Sequence, residues 1–290
     1  MAITLYAFKK LAERSVGEML IKDWKEFLIP YEQAVEELKV KFKSIRKQFR
    51  SKNEYSPIEF VTGRVKEVSS ILEKSKKLDI PLNRIYDEME DIAGIRIMCQ
   101  FVEDIYKVVQ IIHQRNGKDL NIIYEKDYVK NKKESGYRSY HIIIKYPVQT
   151  AEGEKEILAE IQIRTLGMNF WATIEHSLNY KYKQSIPENI KERLKKAGEL
   201  AFLLDQEMSQ IKEEIVEAQT LFEIKSNIIS DILDNIITLY SLGRISDSTE
   251  IQNKFNELLE HGNISELSAL LEESNNKISK YRLEMLQLNE

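Results

Sequence analysis

The sequence predicts an α+β fold, in which a mixed central β-sheet is flanked by helices and is followed by a long helix and a helical C-terminal extension. Three observations lead to this class. Apolar residues recur every three to four positions over long stretches, short runs rich in β-branched residues occupy the middle of the chain, and only five prolines and ten glycines interrupt 290 residues. Few breakers favour long helices, and strands interspersed with helices favour a layered core around one sheet.

The elements follow one another from the N-terminal part onward. A first helix is expected over residues 31–50, because Val35, Leu38 and Phe42 step by three and four. The remaining elements of this region are a helix over 63–77, a strand over 92–101, a helix over 106–115, strands over 120–124, 140–146 and 158–163, and a helix over 168–182. The last two strands are joined by a turn near Gly153.

A long helix is expected from Ile190 onward. Apolar residues alternate in steps of four and three from Ile190 to Phe222, over more than four heptads. This spacing predicts either a coiled-coil seam or one face of a long helix packed on the domain. The segment Ser246-Asp-Ser-Thr249 and Ser265 precede further apolar periodic segments, so they offer candidate N-caps for two more helices.

Composition narrows the class of protein. One cysteine, Cys99, excludes an internal disulfide and a cysteine-built zinc site. No apolar run approaches the ~18 residues of a membrane span, and the N-terminal residues turn polar too early for a signal peptide. A cytoplasmic protein without membrane attachment is therefore expected. The net charge is −4, but residues 39–52 carry seven basic side chains and no acidic one.

A first candidate site is an anion site. Lys66, Ser70 and Lys74 lie at i, i+4 and i+8, so the predicted second helix puts them on one face, with Arg64 in its first turn. Ammonium groups, a hydroxyl and a helix N-terminus together bind anions. The chain lacks a G-x-x-x-x-G-K-[ST] loop, so phosphates would be held by side chains. A solvated basic helix face is the alternative.

Two carboxylates are candidates for metal binding or base catalysis. Asp91 lies where a helix gives way to a strand, and Mg²⁺ commonly takes one or two carboxylates plus substrate phosphates. Glu160, Gln162 and Arg164 share one face of a strand whose other face is apolar. Glu160 is then a candidate general base or second metal ligand. The alternatives are a capping aspartate and an amphipathic strand facing solvent.

A nucleotide pocket is the third candidate. Tyr137 follows Gly136, which lets the backbone turn and present the ring for stacking, and His141 opens the next strand. Four lysines, Lys126, Lys130, Lys132 and Lys133, precede this segment. Arg96 is able to stack on a base from the neighbouring strand. A structural histidine is the alternative for His141.

These segments occur in an order that resembles one enzyme family. The chain contains G-R-V-K-E-V-S-S-I-L-E-K, D-I-A-G-I-R, S-G-Y-R-S-Y-H, E-I-Q-I-R-T and N-F-W-A-T-I-E-H-S-L-N-Y-K-Y, in that order. Over roughly residues 24–219 the set resembles the RelA/SpoT-type synthetase domain, and within it the RelQ-type small alarmone synthetases. The resemblance implies a nucleotidyltransferase-like synthetase fold. It also implies an enzyme, a GTP pyrophosphokinase, that transfers the β,γ-pyrophosphate of ATP to the 3′-hydroxyl of GDP or GTP and gives (p)ppGpp and AMP.

The same resemblance implies roles for individual residues. The ATP-binding residues would be Arg64 and Arg96 around the adenine and Lys66, Ser70 and Lys74 at the phosphates. Asp91 and Glu160 would serve Mg²⁺, with Glu160 activating the 3′-hydroxyl. Tyr137 would stack on guanine, and the other residues of the GDP/GTP side would be Lys126, Lys133, His141 and Gln162. Lys126 stands where relatives often carry arginine, which keeps the charge but loses bidentate geometry.

The basic N-terminal helix gains a role from the resemblance. In the RelQ-type group, matching positions form an allosteric site for (p)ppGpp at a subunit interface, and the group is tetrameric. The residues at those positions are Lys39, Lys43, Arg46, Glu59, Phe60, Thr62 and Asn169. A homotetramer activated by its product is therefore expected. Single-stranded RNA is the rival ligand of this surface, and an unengaged solvated face is the third interpretation.

The resemblance also divides the chain. Residues 1–23 form an N-terminal extension, residues 24–219 the synthetase domain, and residues 220–290 a helical extension of unknown role. No His-Asp dipeptide occurs, so we expect a synthetase without the family's hydrolase activity. Two other functions stay open: a toxic relative that pyrophosphorylates adenine nucleotides or the 3′ ends of tRNA, and a catalytically inactive nucleotide or RNA sensor. Retention of both Asp91 and Glu160 argues against the sensor.

Overall fold

The predicted α+β class is confirmed by the order of helices and strands. A computed structural model describes residues 2–182 and 186–287. The elements are α1 (Ala2–Ser51), β1 (Phe60–Val65), α2 (Val68–Leu78), α3 (Ile85–Glu88), β2 (Ala93–Cys99), α4 (Val102–His113), β3 (Asn121–Asp127), β4 (Tyr140–Thr150), β5 (Gly153–Thr165), α5 (Leu166–Lys181), α6 (Glu188–Ser241), α7 (Ile245–His261) and α8 (Ile264–Gln287). They form two compact units, Met1–Ser209 and Gln210–Glu290.

The first unit is built on a mixed five-stranded sheet with the strand order β1-β2-β5-β4-β3. Strand β2 pairs parallel to β5, while the other neighbouring strands pair antiparallel. Side chains alternate between the two faces. Ile95, Ile97, Ile161 and Ile163 are fully buried on the core face, so the polar residues between them lie on the opposite face.

The helix predicted over residues 63–77 is wrong in its first part. Gly63 and Arg64 belong to β1, Lys66 lies in the turn after it, and the helix begins only at Val68. The segment follows a period of two, because Val61 is buried while its neighbours point outward. A Cβ atom on Gly63 would lie 2.7 Å from Val35 Cγ1, so the glycine permits α1 to pack closely on the sheet.

Helix α1 contains the predicted helix 31–50 and extends it at the N-terminal end. It begins at Ala2 and passes through Pro30, so the expected N-terminal extension is helical in backbone. The face predicted to be apolar is buried, with Val35, Leu38 and Phe42 at most 3% exposed. This face anchors α1 on the sheet.

The second unit has a core of its own. Ile232 and Leu239 from α6, Ile251 from α7 and Leu267 from α8 are fully buried in it. Helix α8 is capped by Asn263 rather than by the predicted Ser265: the Asn263 side chain accepts from the Glu266 N–H, and the Glu266 carboxylate accepts from the Asn263 N–H, both at 2.9 Å. Helix α7 likewise begins at Ile245, ahead of Ser246.

The heptad seam of α6 is exposed over much of its length. Leu204, Ile215 and Phe222 are 56%, 53% and 75% exposed. These three side chains are exposed in the described part of the chain, and the coiled-coil alternative stays a prediction. Among residues 2–182 and 186–287, no helix combines the length and the apolar character that a membrane crossing requires.

Candidate active site

The polar face of the sheet brings candidate residues together in two rows that run across the strands. The register pairs Arg64 with Gly94, Gly94 with Glu160, and Glu160 with Ile143. The second row joins Thr62, Arg96, Gln162, His141 and Lys126, again strand by strand. Paired residues point to the same face, so segments as much as a hundred residues apart meet on one surface.

Two adjoining cavities open on this surface. The first has a volume of about 830 Å³ and is lined by ten of the predicted residues: Arg64, Lys74, Asp91, Arg96, Lys126, Lys133, Tyr137, His141, Glu160 and Gln162. The second, also of about 830 Å³, is lined by all three members of the predicted anion site, Lys66, Ser70 and Lys74. Arg64 and Lys74 line both cavities. The three side chains therefore line one cavity although Lys66 precedes the helix, and anion binding there stays a prediction.

Asp91 is the centre of the cationic side. Its Oδ2 atom lies 2.7 Å from Lys66 Nζ and 2.9 Å from Lys74 Nζ. Burial alone would raise the pKa of the Asp91 carboxyl, but the two ammonium groups outweigh burial and lower that pKa below its usual value. The carboxylate is consequently ionised at neutral pH, and it pairs with two lysines that line the second cavity.

Glu160 belongs to a closed ring of hydrogen bonds. Its Oε1 atom accepts from His141 Nδ1 and its Oε2 atom accepts from Gln162 Nε2, both at 2.7 Å. His141 Nε2 lies 2.7 Å from the Tyr137 hydroxyl, which accepts from Arg164 Nη2 at 2.6 Å. Arg164 Nη2 also donates to Gln162 Oε1 at 2.6 Å, which completes the ring.

The ring orients the Glu160 carboxylate. A carboxylate only accepts, so the Nδ1 atom of His141 carries a proton and donates it to Glu160 Oε1. Burial would raise the pKa of Glu160, but the hydrogen bonds from His141 and Gln162 outweigh it and lower that pKa. Glu160 is therefore an ionised, oriented carboxylate at neutral pH.

The two carboxylates fit a divalent cation. Among the described residues, no group of three or more His, Cys, Asp and Glu side chains is arranged for a metal. However, Asp91 Oδ1 is buried and has no hydrogen-bond partner within the described part of the chain, and Asp91 and Glu160 line one small cavity of about 180 Å³. An unsatisfied carboxylate oxygen near a second carboxylate suits a hard cation that completes its shell with phosphate and water oxygens.

Aromatic rings and lysines form another part of the first cavity's lining. Lys133 Nζ lies 4.6 Å from the ring centroid of Tyr128 and 5.0 Å from that of Tyr137. Burial lowers the pKa of Lys133, although the charge of Glu160 opposes this shift. Lys126 lies on β3, beside Tyr124, with Nζ 4.7 Å from that ring. Aromatic rings can stack on the base of a nucleotide, and lysine ammonium groups can pair with its phosphates.

The expected allosteric residues do not all come together within one chain. Lys43, Arg46, Phe60 and Thr62 line a cavity of about 690 Å³ beside α1. Glu59 lies at its edge, 3.3 Å from Arg46 Nη2. Lys39 does not line this cavity and instead pairs with Glu36 at 2.7 Å, and Asn169, on α5, does not line it either.

Several residues that line the first cavity were not predicted from the sequence. The first cavity is also lined by Glu90, Tyr124, Tyr128, Ser135 and Glu175. Tyr124 donates to Glu90, which places a second acid next to Asp91. The sequence holds one weak signal for Tyr124: it lies two residues before Lys126 on β3, and side chains two residues apart on a strand share a face.

Comparison with known proteins gives concordant results. The sequence profile of a family described as "Region found in RelA / SpoT proteins" matches residues 63–185. GTP pyrophosphokinase YjbM of Bacillus subtilis (strain 168) is 58% identical over 204 residues, covering 70% of this chain and 95% of that protein. GTP pyrophosphokinase YwaC of the same organism is 39% identical over 198 residues, covering 68% of this chain and 93% of that protein.

Solved structures agree. The crystal structure of small alarmone synthetase 1 from Bacillus subtilis bound to its product pppGpp matches with a TM-score of 0.64 at 58% identity, covering 67% of this chain and 98% of that one. The same synthetase bound to AMPCPP matches with a TM-score of 0.59 at 55% identity, covering 68% and 99%. The first unit thus has the fold of these structures.

Proposed function

The chain belongs to the RelA/SpoT family, as a small alarmone synthetase of the RelQ type, and we propose that it transfers the pyrophosphate group of ATP to the 3′-hydroxyl of GDP or GTP. The products are (p)ppGpp and AMP. The observation that carries this function is the pair of ionised carboxylates, Asp91 and Glu160, which line one cavity between a cluster of cations and an aromatic wall. The chain is accordingly a GTP pyrophosphokinase, and synthesis is the activity proposed for it.

The cationic side is proposed to bind ATP. Lys66, Ser70 and Lys74 hold the phosphates, and Arg64 and Arg96 enclose the adenine from β1 and β2. The attacked phosphorus belongs to a polyanion, so positioning and charge neutralisation supply most of the catalysis. Lys66 and Lys74 exchange their bonds to Asp91 for bonds to phosphate when ATP binds.

The ring around Glu160 is proposed to activate the acceptor. Glu160 removes the proton from the 3′-hydroxyl, and its hydrogen bond from His141 fixes the direction of the carboxylate. Tyr137 stacks on the guanine, while Lys126, Lys133, His141 and Gln162 surround the rest of this nucleotide. Because Tyr137 also touches His141, base recognition and the general base belong to one network.

We propose Mg²⁺ as the cation at Asp91 and Glu160. The unpartnered Asp91 Oδ1 atom supports this assignment. When bound, the ion neutralises charge on the transferred phosphates. Both carboxylates are ionised without it, so the residues are ready to bind a cation.

Regulation is proposed to act through the cavity beside α1. Lys43, Arg46, Phe60 and Thr62 bind (p)ppGpp there, and Lys39, Glu59 and Asn169 complete the site in a homotetramer. Single-stranded RNA is the competing ligand. The enzyme would work in the cytoplasm, where its nucleotide substrates are available. The synthetase domain is assigned to residues 24–219, with residues 1–23 and 220–290 as its extensions.

One experiment tests the function. The protein is incubated with ATP, Mg²⁺ and, in separate reactions, GDP, GTP, GMP, AMP or tRNA, and the products are resolved by chromatography. We expect AMP together with ppGpp from GDP and pppGpp from GTP. Pyrophosphate transfer to AMP or tRNA alone would identify the chain as one of the toxic relatives, and no transfer to any acceptor would favour a sensor.

A further inference from the structure

The loop that carries Tyr137 and Lys133 rests on helix α6. This loop, residues 128–139, connects β3 to β4 and lies beside the first cavity. Three backbone bonds lie within it: Tyr128 N–H donates to Ser139 O at 3.0 Å, Lys133 N–H donates to Tyr137 O at 3.1 Å, and Gly136 N–H donates to Lys133 O at 2.9 Å. A twelve-residue loop with three internal backbone bonds also depends on outside contacts for a single conformation.

Helix α6 supplies those contacts through two side chains. Glu199 pairs with Lys132 at 2.5 Å and with Arg138 at 3.5 Å. The Arg138 guanidinium lies 3.7 Å from the ring centroid of Phe202 and donates to Val129 O at 2.5 Å. Arg138 is 10% exposed, so the stack on Phe202 is largely shielded from water, where such contacts are strongest.

The backbones of the loop and the helix also touch. Gly136 has φ +88°, a conformation that favours glycine, and a Cβ atom there would lie 3.0 Å from Lys195 O. On the helix side, a Cβ atom on Gly198 would lie 3.1 Å from Gly136 O and from the Trp171 ring. Two glycines therefore face each other, and the loop is seated directly against α6.

We propose that Glu199 and Phe202 are positioning residues for the guanine nucleotide. They hold Lys132 and Arg138, which flank Lys133 and Tyr137 in the loop, and thereby keep the stacking ring and the lysine at the acceptor cavity. Neither Glu199 nor Phe202 lines that cavity, so they act on the acceptor only through the loop. This inference rests on the proposed function, since it assigns Tyr137 and Lys133 to the acceptor.

Steady-state kinetics with GDP and ATP varied in turn test the proposal. Glu199→Gln removes the ion pairs and should raise KM for GDP about two- to fivefold. Glu199→Lys places a positive charge beside those of Lys132 and Arg138, and it should raise KM for GDP about tenfold or more. KM for ATP should stay within about twofold in both variants. Phe202→Ala should act like Glu199→Gln, and Phe202→Leu serves if the alanine variant does not fold.

Glu192→Lys is the matched control, because it reverses an exposed charge on the same helix, about two turns before Glu199. It should leave both KM values unchanged. Calorimetric GDP binding gives a readout that does not need turnover, and the GDP dissociation constant should rise in Glu199→Lys but not in Glu192→Lys. Equal rises in both KM values, or an unchanged GDP dissociation constant in Glu199→Lys, would overturn the inference. A wild-type protein that forms no product would contradict the proposed function, while the calorimetric comparison would still decide the role of Glu199.

Discussion

Lys66 and Asp91, twenty-five positions apart, are joined by an ion pair of 2.7 Å at the junction of the two cavities. Lys74 reaches the same carboxylate oxygen at 2.9 Å, while the other oxygen is buried and has no hydrogen-bond partner in the described part of the chain. A carboxylate with one saturated and one unsatisfied oxygen is suited to hold a cation and release its lysines to phosphate. We therefore expect removal of the Asp91 carboxylate to lower turnover through the loss of a cation ligand.

Asp91→Asn and Glu160→Gln should each lower turnover at least ~10²-fold, because one removes a charged cation ligand and the other the general base. The measurement is the initial rate of (p)ppGpp formation from ATP and GDP. Glu156→Gln, an exposed acid on the same strand as Glu160, is the control and should retain the wild-type rate. A folded Asp91 or Glu160 variant with near-wild-type turnover would refute these roles.

Tyr137→Ala should raise KM for the guanine nucleotide tens of fold, since stacking on a base contributes ~1–3 kcal/mol. KM for ATP should change little. Tyr137→Phe keeps the ring but loses the contacts with His141 and Arg164, so it should retain most of the affinity for GDP and lower kcat instead. A similar effect of Tyr137→Ala on both substrates would place this ring elsewhere.

Added pppGpp should shorten any lag in product formation by the wild-type enzyme. Combining Lys43→Ala with Arg46→Ala should abolish this response without lowering the rate measured in its absence, because both residues line the cavity beside α1 and neither lines the two active-site cavities. Lys52→Ala, an exposed basic residue after the same helix, should respond like the wild type. Unchanged progress curves with added product, or a monomeric mass by light scattering, would oppose this regulation.

The buried carboxyl group of Asp205 should make the free energy of unfolding decrease as the pH rises. Its carboxylate accepts from the Thr165 hydroxyl at 2.5 Å, and burial raises its pKa to about 6. The folded state binds this proton more tightly than the unfolded chain, so the stabilisation is complete below the unfolded pKa of ~3.9 and is lost as the pH rises through about 6.

Asp205→Asn, which resembles the neutral form, should therefore melt several degrees above the wild type at pH 7.5. The difference should shrink as the pH falls below 6, and it is measured by thermal melts of both proteins across that range. Glu207→Gln, an exposed acid on the same helix, should show no such trend. A melting difference that is the same at every pH would exclude the buried acid as its source.

Truncation after Gln219 should leave a folded enzyme that still makes (p)ppGpp, with changed rate, regulation or oligomeric state. The two cavities are lined only by residues up to Lys191, and the second unit buries Ile232, Ile251 and Leu267 in a core of its own. Product chromatography and light scattering check this. A folded but inactive truncation that is rescued by the 220–290 fragment in trans would show that the catalytic unit extends further.

Strand β5 shows what periodicity can predict. Glu160 and Gln162 alternate with Ile161 and Ile163, and a period of two assigns faces directly. Strand β1 shows where periodicity is ambiguous. Lys66, Ser70 and Lys74 have helical spacing, and the helix predicted from that spacing also included Gly63 and Arg64. In the structure, Gly63 and Arg64 lie in β1, a strand of only six residues.

Long-range neighbours could not be predicted from spacing. Gly94 lies beside Glu160 because β2 and β5 pair in parallel, and this pairing depends on the whole topology. Likewise, the heptad pattern of α6 predicted that Leu204 and Phe222 belong to a buried seam, but both side chains are exposed. The face of α6 that contacts the rest of the first unit instead carries Gly198 and Asp205. A close contact between two elements at a glycine produces no apolar periodicity, so this packing face could not be predicted from the sequence.

A natural fluorophore lies where the loop of residues 128–139 contacts α6. The chain has two tryptophans, Trp24 and Trp171. Trp171 is 6% exposed, its indole N–H donates to Leu194 O at 2.8 Å, and its ring lies beside Gly198. With Trp24 replaced by phenylalanine, all indole emission would arise at this junction. Movement of the loop during nucleotide binding would then be visible by stopped-flow fluorescence, in an otherwise unlabelled enzyme.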